Sequence, residues 1–473
     1  MKSLVLAEKP SVARDIARVL GCHKNISGAI EGSNYIVTWA LGHLVTLADP
    51  EEYDKKFKAW DMSYLPMVPK KWKLVVIKQT SKQYHNVKTQ LFRKDVSEII
   101  IATDAGREGE LVARWILDKS GCHKPIRRLW ISSVTDKAIK EGFAHLKDGR
   151  AYNDLYHAAR SRAEADWLVG INATRALTCK YNAQLSCGRV QTPTLAMIAH
   201  REQQIRSFKP EDYYGLRCAT SVTGGSVGTM ASIVTWTWQQ KKSGSLRSFN
   251  KDLITGLDKK LKNQTLTVTD VHTSSKRTPS PGLYDLTELQ RDANKRFGFS
   301  AKETLNIMQS LYEHHKVLTY PRTDSRYIGT DIVPTIKERL KACNIGPYKK
   351  YIPELLKKPL KTSKAFVDDK KVSDHHAIIP TEEYVQMEHM SNNERKIYDL
   401  VVRRFISVLY PAFEYEQTSL EAKAAGQTFA ANGKTVIRAG WKAVYEEGMQ
   451  EEDTEDNALK DQKLPVFRQG DSI

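Results

Sequence analysis

The segment VSEIIIATDAGREGE, residues 96–110, decides the fold class of this chain. It opens with an apolar run of strand length and continues into a polar turn that contains Asp104 and Gly106. Beyond the turn, apolar side chains recur with helical spacing at Leu111, Val112, Trp115 and Ile116. The pattern predicts a buried strand, a short turn and an amphipathic helix.

The N-terminus has the same arrangement in a shorter form. Residues 3–7 predict a buried strand, Glu8 and Lys9 lie in the turn that follows, and the next helix has its apolar positions at Val12, Ile16, Val19 and Leu20. Further strands are predicted at residues 35–39, 74–77 and 128–131. Strands that alternate with helices predict an α/β domain with a mostly parallel sheet and helices on both faces.

Three carboxylates follow the predicted strands. Glu8, Asp104 and Glu108 lie at the carboxyl ends, where open α/β sheets bind their ligands. Acids gathered in a basic protein repel one another unless a cation lies between them, and oxygen ligands suit Mg²⁺. The sequence predicts a magnesium site here. The alternative is that Asp104 caps its helix and that Glu108 and Glu110 stabilise the first turn.

Composition points to a polyanionic partner. The 473 residues carry a net charge of +18, so nucleic acid is the expected ligand. The six cysteines are scattered without a C-x-x-C pair, which predicts a reducing compartment and no zinc. The apolar run at the N-terminus stops at Glu8, and no apolar run reaches the ~18 residues of a membrane span. We expect no membrane association and a cytoplasmic protein.

The middle of the chain predicts helices and then short strands. Residues 151–210 are helical, with Arg162 among their charges, and a helix N-terminus that could contact phosphate is predicted at Ser186, Gly188, Arg189 and Gln191. Residues 211–275 predict the first part of an antiparallel β domain, and residues 409–473 its second part, with a hairpin turn at Asn432-Gly433. The acidic run 446–456 predicts a solvated loop. Gly433 begins a Gly-Lys-Thr sequence like the end of a P-loop, but a P-loop also needs Gly at position 428, where this chain has Thr. No ATP site is therefore predicted.

Residues 276–408 contain the candidate nucleophile. Helices are predicted at 286–296 and 301–315, and the stretch 318–325 then places Tyr320, Arg322 and Asp324 close together. A tyrosine that attacks phosphate needs a cation to stabilise the developing charge, which Arg322 offers. His375 could contact phosphate or relay a proton. An ordinary buried tyrosine beside a polar turn, and a capped turn at His375, are the alternatives.

Together these segments resemble the type IA DNA topoisomerases. The likeness rests on their order along the chain: Glu8-Lys9-Pro10, 104–110, 186–193, Leu311-Tyr312-Glu313, 318–325, 375–381 and Gly440-Trp441. The resemblance implies a multidomain α/β plus α+β protein that forms a toroid. It consists of a Rossmann-like Toprim domain at 1–150, a helical DNA-binding domain at 151–210, a two-part β domain and a winged-helix-like domain at 276–408 that bears the tyrosine.

The resemblance also implies a chemistry. Tyr320 would attack single-stranded DNA and stay linked to the 5′-phosphate, without ATP. Arg322 and Lys9 would stabilise the transition state and Glu8 would act as an acid. Glu8, Asp104 and Glu108 would hold Mg²⁺, while DNA would contact Ser186, Gly188, Arg189, Gln191, Arg162, Asp324 and His375. The expected substrate is single-stranded or negatively supercoiled DNA, bound by a monomer in the cytoplasm at the nucleoid; the resemblance leaves protein partners open.

Two departures from the family pattern modify this expectation. The usual motif Asp-x-Asp-x-Glu has Gly106 in place of its middle acid, which predicts one weaker Mg²⁺ site, with cleavage retained and relaxation needing more metal. The chain ends at Ile473, before the rest of the helical domain found in the family. The toroid would then lack part of its base, so the resemblance implies DNA cleavage more directly than strand passage. The alternative is a truncated or degenerate relative that binds, or only cleaves, single-stranded DNA without strand passage.

Overall fold

The computed structural model describes residues 1–131, 134, 136–222, 232–241, 243–372, 375–445 and 459–473. The predicted loop 446–456 lies outside these residues. The strands are β1 (Lys2–Ala7), β2 (Lys24–Ile26), β3 (Ala29–Glu31), β4 (Tyr35–Trp39), β5 (Val45–Leu47), β6 (Leu74–Val76), β7 (Val96–Ala102), β8 (Ile126–Arg128), β9 (Lys147–Asp148), β10 (Arg217–Val222), β11 (Ser232–Gln239), β12 (Thr267–Thr278), β13 (Phe413–Ala424), β14 (Gln427–Arg438) and β15 (Asp461–Gln462).

The α-helices are α1 (Pro10–Val19), α2 (Ser81–Leu91), α3 (Arg107–Ser120), α4 (Asp136–Ala144), α5 (Asn153–Tyr181), α6 (Gln191–Ser207), α7 (Lys251–Leu261), α8 (Leu286–Phe297), α9 (Ala301–Glu313), α10 (Ile336–Ala342), α11 (Ile352–Leu356) and α12 (Asn392–Ser407). None of the helices in the described part of the chain is both long enough and apolar enough to cross a bilayer.

The chain forms two compact units. The first consists of Met1–Ser207, Tyr284–Ile336 and Lys364–Ile378, and the second of Phe208–Leu283, Lys337–Ser363 and Ile379–Ile473. Every predicted site residue belongs to the first unit. The region 276–408, predicted as one domain, therefore contributes to both units.

A seven-stranded sheet with the order β2-β3-β4-β1-β7-β8-β9 forms the centre of the first unit. Its middle strands β4, β1, β7 and β8 are parallel, and its edges are antiparallel. Alternate residues of β1 face opposite sides, so Leu4 and Leu6 belong to one buried cluster and Val5 and Ala7 to the other. The sheet is covered on both faces, which confirms the predicted α/β architecture.

Two predicted strands differ from the structure. Residues 74–77 were expected in the parallel sheet, but β6 pairs antiparallel with β5 in a separate two-stranded sheet. Its side chains are only partly buried, as fits a small peripheral sheet rather than a central strand. The strand predicted at 128–131 begins earlier, because Ile126 to Arg128 are the residues that pair with β7.

The second unit contains an antiparallel sheet with the order β10-β11-β14-β13-β12, and β15 pairs with β14. Strands from residues 409–473 thus pair with strands from 211–275. The hairpin predicted at Asn432-Gly433 is wrong, because β14 continues through both residues. The turn lies at Ala425-Gly426, where both residues have positive φ. Gly433 is instead a packing position, since a Cβ there would meet the Leu464 side chain at 2.5 Å.

The tyrosine segment is fixed by a neighbouring stretch of the same unit. Helix α9 ends at Glu313, and beyond it Thr319 Oγ1 donates to the carbonyl of Ala377 at 3.2 Å. Thr323 Oγ1 donates to the carbonyl of His375 at 2.9 Å. These bonds place His375 beside the segment that bears Tyr320.

Candidate active site

Tyr320 lines a cavity of about 230 Å³ with seven other residues: Glu8, Lys9, Gln309, Tyr312, Glu313, Pro321 and Arg322. The Lys9 ammonium donates a hydrogen bond of 2.8 Å to the Tyr320 hydroxyl oxygen. It also lies 4.1 Å from the centre of the Tyr320 ring. The structure therefore brings the predicted nucleophile, both predicted cations and one predicted acid into one cavity.

Two acids lie at the carboxyl ends of the neighbouring strands β1 and β7. Glu8 Oε2 accepts the Asp104 backbone N–H at 3.1 Å. Burial and the negative charge of Asp104 raise the pKa of Glu8 above its ordinary value. The pKa of Asp104 is lowered although burial opposes this, because His375 and Lys9 each lie 3.5 Å from its Oδ2. The pKa values of the two neighbouring carboxyls are therefore shifted in opposite directions.

Lys9 joins the acids to the tyrosine. Burial lowers the pKa of Lys9, but Asp104 and the hydrogen bond to Tyr320 more than offset that effect, so the pKa is raised. The ammonium therefore stays charged at neutral pH. His375 has its ring centre 4.3 Å from that of Tyr320 and is a further group beside the phenol.

Glu108 is directed away from the other two acids. It lies on the first turn of α3, with its carboxylate 3.7 Å from His43 Nε2 and 3.4 Å from Arg162 Nη1. These partners lower the pKa of Glu108, and His43 contributes most to the shift. Among the described residues no three His, Cys, Asp or Glu side chains are spaced to hold a metal ion. Glu8 and Asp104 fit a cation in donor type and in their mutual repulsion, whereas Glu108 would have to exchange its partners.

A buried ion pair supports the turn that carries Asp104. Glu110 and Arg128 are fully buried and lie 2.9 Å apart. Arg128 also donates to the backbone carbonyls of Thr103, at 2.9 Å, and of Asp104, at 2.7 Å. Gly109 permits the close approach of α3, because a Cβ at that position would lie 2.1 Å from the Asp104 carbonyl oxygen. The backbone at Asp104 is thus held from both sides.

The residues predicted to contact DNA lie mostly on α5, on α6 and in the loop between them. Arg189 pairs with Asp166 of α5 at 2.7 Å. The Gly188 backbone N–H donates to Thr192 Oγ1 at 3.0 Å, and the side chain of Gln191 packs over Gly188. Ser186 and Asp324 are exposed.

Two of the predicted DNA contacts pair with predicted acids. Arg162 lies beside Glu108, and His375 lies beside Asp104. None of the seven predicted DNA contacts is among the described residues that line the Tyr320 cavity. The Tyr320 cavity is therefore distinct from the surface of α5, α6 and their connecting loop, on which five of the seven predicted DNA contacts lie.

Sequence reasoning missed two residues of the site. His43 follows β4 and holds Glu108; its position at the carboxyl end of a parallel strand is a signal that could have identified it. Tyr312 lies in the predicted helix 301–315 and has no predicted role in the site, and the structure places its ring 5.5 Å from that of Tyr320. Burial raises the pKa of Tyr312 to about 12, so this second phenol keeps its proton.

Comparisons with known proteins identify the family of the chain. A family model described as DNA topoisomerase matches residues 150–473, and one described as Toprim domain matches residues 3–134. The chain belongs to the type IA DNA topoisomerase family. It is 62% identical over 472 residues to a DNA topoisomerase 3 of Bacillus cereus and 59% identical to that of Bacillus subtilis.

These matches cover 100% of the chain and 63% of each relative, so the chain spans less than two thirds of the length of the curated topoisomerases it matches. Among solved structures, full-length topoisomerase I from Thermotoga maritima superposes with a TM-score of 0.66, at 22% identity, over 99% of this chain and 70% of that one. The fold of the family is therefore confirmed along the whole chain.

Proposed function

We propose that this chain cleaves single-stranded DNA transiently through a 5′-phosphotyrosine link at Tyr320 and reseals it, and that strand passage occurs between the two steps. The observation that carries the proposal is the hydrogen bond from Lys9 to the Tyr320 hydroxyl, in a cavity shared with Glu8 and Arg322. A charged donor at the attacking oxygen stabilises the negative charge that develops there.

The bond changes balance without a nucleotide cofactor. Tyr320 attacks phosphorus, the phenol gives its proton to solvent water, and the bond from phosphorus to the 3′-oxygen breaks. Glu8, whose pKa is raised by burial and by Asp104, would supply the proton that the 3′-oxygen gains. Arg322 at the cavity wall would bind the phosphate oxygens. Religation reverses these steps, and the aryl phosphate ester retains the energy of the broken bond, so ATP is not needed.

Magnesium is the proposed cofactor, and zinc is not needed. Asp104 would hold the ion with retained waters, and Glu108 would join it if it left His43 and Arg162. Glu8 would be a further ligand only while it is ionised, after it has given its proton to the 3′-oxygen. The bound ion would supply positive charge to the substrate phosphate. Asp324, His375, Arg189 and Gln191 would orient the strand or the neighbouring side chains, with Ser186, Gly188 and Arg162 in further contact with DNA. The division of the chain into a Toprim domain, a helical domain, a two-part β domain and a winged-helix-like domain stays a prediction.

Single-stranded or negatively supercoiled DNA is the proposed partner, bound by a monomer in the bacterial cytoplasm at the nucleoid. Support comes from the net charge of +18 and from the relatives named DNA topoisomerase 3. Because phosphate contacts release counterions, binding is expected to weaken steeply with salt.

The test determines which end of a cleaved DNA strand becomes covalently linked to the protein. Single-stranded DNA labelled at its 3′ end is incubated with the chain and Mg²⁺, then denatured; the 3′-labelled fragment is expected to migrate with the protein, and a 5′ label is not. Tyr320→Phe should abolish the adduct, and Tyr327→Phe, the matched control, should retain it. An adduct that persists in Tyr320→Phe, or none in the wild-type chain, would contradict the proposal. Relaxation of supercoiled DNA then tests strand passage.

A further inference from the structure

A segment outside the cavity combines positive charge with an exposed aromatic ring. Residues 55–73 contain six lysines and one aspartate, Asp61. Trp60 lies in their midst and is 52% exposed. A single exposed apolar side chain is ordinary on a protein surface. Trp60 differs because its ring is held in one orientation.

Arg175 of α5 provides this support. Its guanidinium lies 5.0 Å from the centre of the Trp60 ring, and the arginine is only 6% exposed. Arg175 also donates to the backbone carbonyls of Phe57 and Ala59, which fixes the guanidinium beside the indole. One face of the ring is thus covered by a cation, and the exposed fraction leaves ring surface available for a second flat group.

Asn172 fixes the far side of the same segment. Its side-chain oxygen accepts the Met67 N–H at 2.6 Å, and its Nδ2 donates to the Met67 carbonyl at 2.9 Å. Residues 57–67 are therefore fastened to α5 at two points, three residues apart on one helical face. Because the backbone is fixed on both sides of Trp60, the segment would lose little conformational entropy when a ligand binds.

The end of α5 that supports Trp60 also carries the loop that precedes α6. Thr178, one turn beyond Arg175, accepts the Leu185 N–H at 3.3 Å, and Thr174 accepts the Cys187 N–H at 2.9 Å. Ser186 and Gly188 belong to this loop. Arg162 contacts Glu108, and the helix rises about 20 Å between Arg162 and Arg175. A stacked strand of about six nucleotides has the same length.

We propose that Trp60, backed by Arg175, is a stacking platform for one unpaired base of a DNA strand whose phosphates contact the lysines of residues 55–73. This inference rests on the proposed function and extends it to a second, non-catalytic subsite. Charge complementarity selects the ligand, because Lys55, Lys58, Lys70 and Lys71 of this segment are all exposed. Every base has a π-face that can stack on the indole ring, so the platform binds single strands without sequence specificity.

Two ligands of equal charge separate stacking from phosphate binding. A 12-nucleotide oligo(dT) and a fully abasic 12-mer are titrated into the Tyr320→Phe chain without metal, so that binding is measured without cleavage. Trp60→Ala is expected to weaken oligo(dT) binding roughly five- to a hundredfold and to leave abasic binding within about twofold. Trp60→Phe should restore most of the affinity. Tyr384→Ala, which removes a ring that is 75% exposed elsewhere, is the matched control.

Equal affinities of Trp60→Ala and its parent for oligo(dT) would overturn the platform. An equal loss on both ligands would also overturn it, because the effect would then be electrostatic or structural. The 3′-label experiment is independent of this result. If wild-type DNA adducts are absent but the oligo(dT) preference depends on Trp60, the cleavage proposal fails and the platform stands; the reverse combination removes only the platform.

Discussion

The Lys9 ammonium lies 2.8 Å from the Tyr320 hydroxyl oxygen, although 311 residues separate them in the chain. Lys9 lies in the turn between β1 and α1, and Tyr320 follows α9. The same ammonium lies 3.5 Å from Asp104. A single cation thus contacts both the proposed nucleophile and an acid of the sheet, so the proposed cleavage would depend on the packing of two distant segments.

Replacing Lys9 should slow chemistry more than binding. Lys9→Gln keeps a polar side chain but removes the charge that faces the Tyr320 oxygen, so the rate of adduct formation should fall about 10²- to 10³-fold. Affinity for single-stranded DNA in the absence of metal should change by less than about fivefold, since one phosphate contact is only a small part of the binding energy. Lys82→Gln, an exposed lysine on α2, should leave both unchanged. A loss of affinity that matches the loss of rate would show that Lys9 binds the ground state instead.

The local pattern of apolar residues was sufficient to predict the strands and helices next to Glu8 and Asp104. The apolar run before Asp104 and the helical spacing after it predicted β7 and α3, and Glu8 was correctly placed at the end of β1. Such elements are set by the side-chain period alone. The partly buried β6 could not be assigned in this way, because an apolar run of that length does not say which strand it pairs with.

Contacts between distant segments could not be predicted from the sequence. Glu108 has the spacing of a metal ligand, but its partners His43 and Arg162 come from the loop after β4 and from α5, and their competition depends on the packing of three elements. Gly433 follows an asparagine, a pair that is typical of a hairpin turn. Only the position of Leu464 in the structure shows that a glycine is needed there to leave room for a packed side chain. Chain order indicated candidate site residues, and tertiary contacts determine how each of them is oriented.

Gly109 should be intolerant of any side chain. A Cβ would lie 2.1 Å from the Asp104 carbonyl oxygen, so Gly109→Ala must displace α3 or the turn that bears the acid. We expect a loss of about 1–3 kcal/mol in unfolding free energy and a slower adduct reaction. Gly170→Ala in α5 is the control, because its nearest neighbour is the Cys187 carbonyl at 3.7 Å. That change should stabilise the unit by about 0.5–1 kcal/mol, as measured by urea unfolding.

Stability at low pH should depend on Glu31. Hydrogen bonds from Lys2, at 2.7 Å, and from Arg93, at 2.6 Å, lower the pKa of Glu31 from 4.5 to about 2. Because the folded pKa lies below the unfolded one, ionised Glu31 stabilises the fold fully above about pH 4.5, and this contribution is lost as the pH falls toward 2. Glu31→Gln should cost about 1–2 kcal/mol at pH 7, after allowance for solvent screening, and only a small fraction of that near pH 2.

Urea unfolding at several pH values measures the difference between Glu31→Gln and the wild-type chain. The exposed Glu51→Gln is the control and should follow the wild-type curve throughout. A Glu31→Gln penalty that stayed constant from pH 7 to about pH 2 would mean that the carboxylate charge does not carry the effect.

Gly106 offers a way to separate helix capping from metal binding. It is the N-cap residue of α3 and has extended backbone, with φ −168°, which any residue can adopt. Gly106→Asp should therefore be accommodated, and it restores the acid that the family pattern has between Asp104 and Glu108. The Mg²⁺ concentration that gives half-maximal supercoil relaxation should fall several-fold, since a third carboxylate strengthens an oxygen-ligand site.

Gly106→Asn is the matched control, because Asn caps a helix about as well as Asp but brings no charge. Without metal, Gly106→Asn should gain a few tenths of a kcal/mol in stability, and Gly106→Asp should gain less because its charge repels Asp104. Only Gly106→Asp should shift the Mg²⁺ titration. If the two variants gave the same metal dependence, position 106 would act on α3 alone, and Glu8 and Asp104 would remain the carboxylates on which magnesium binding depends.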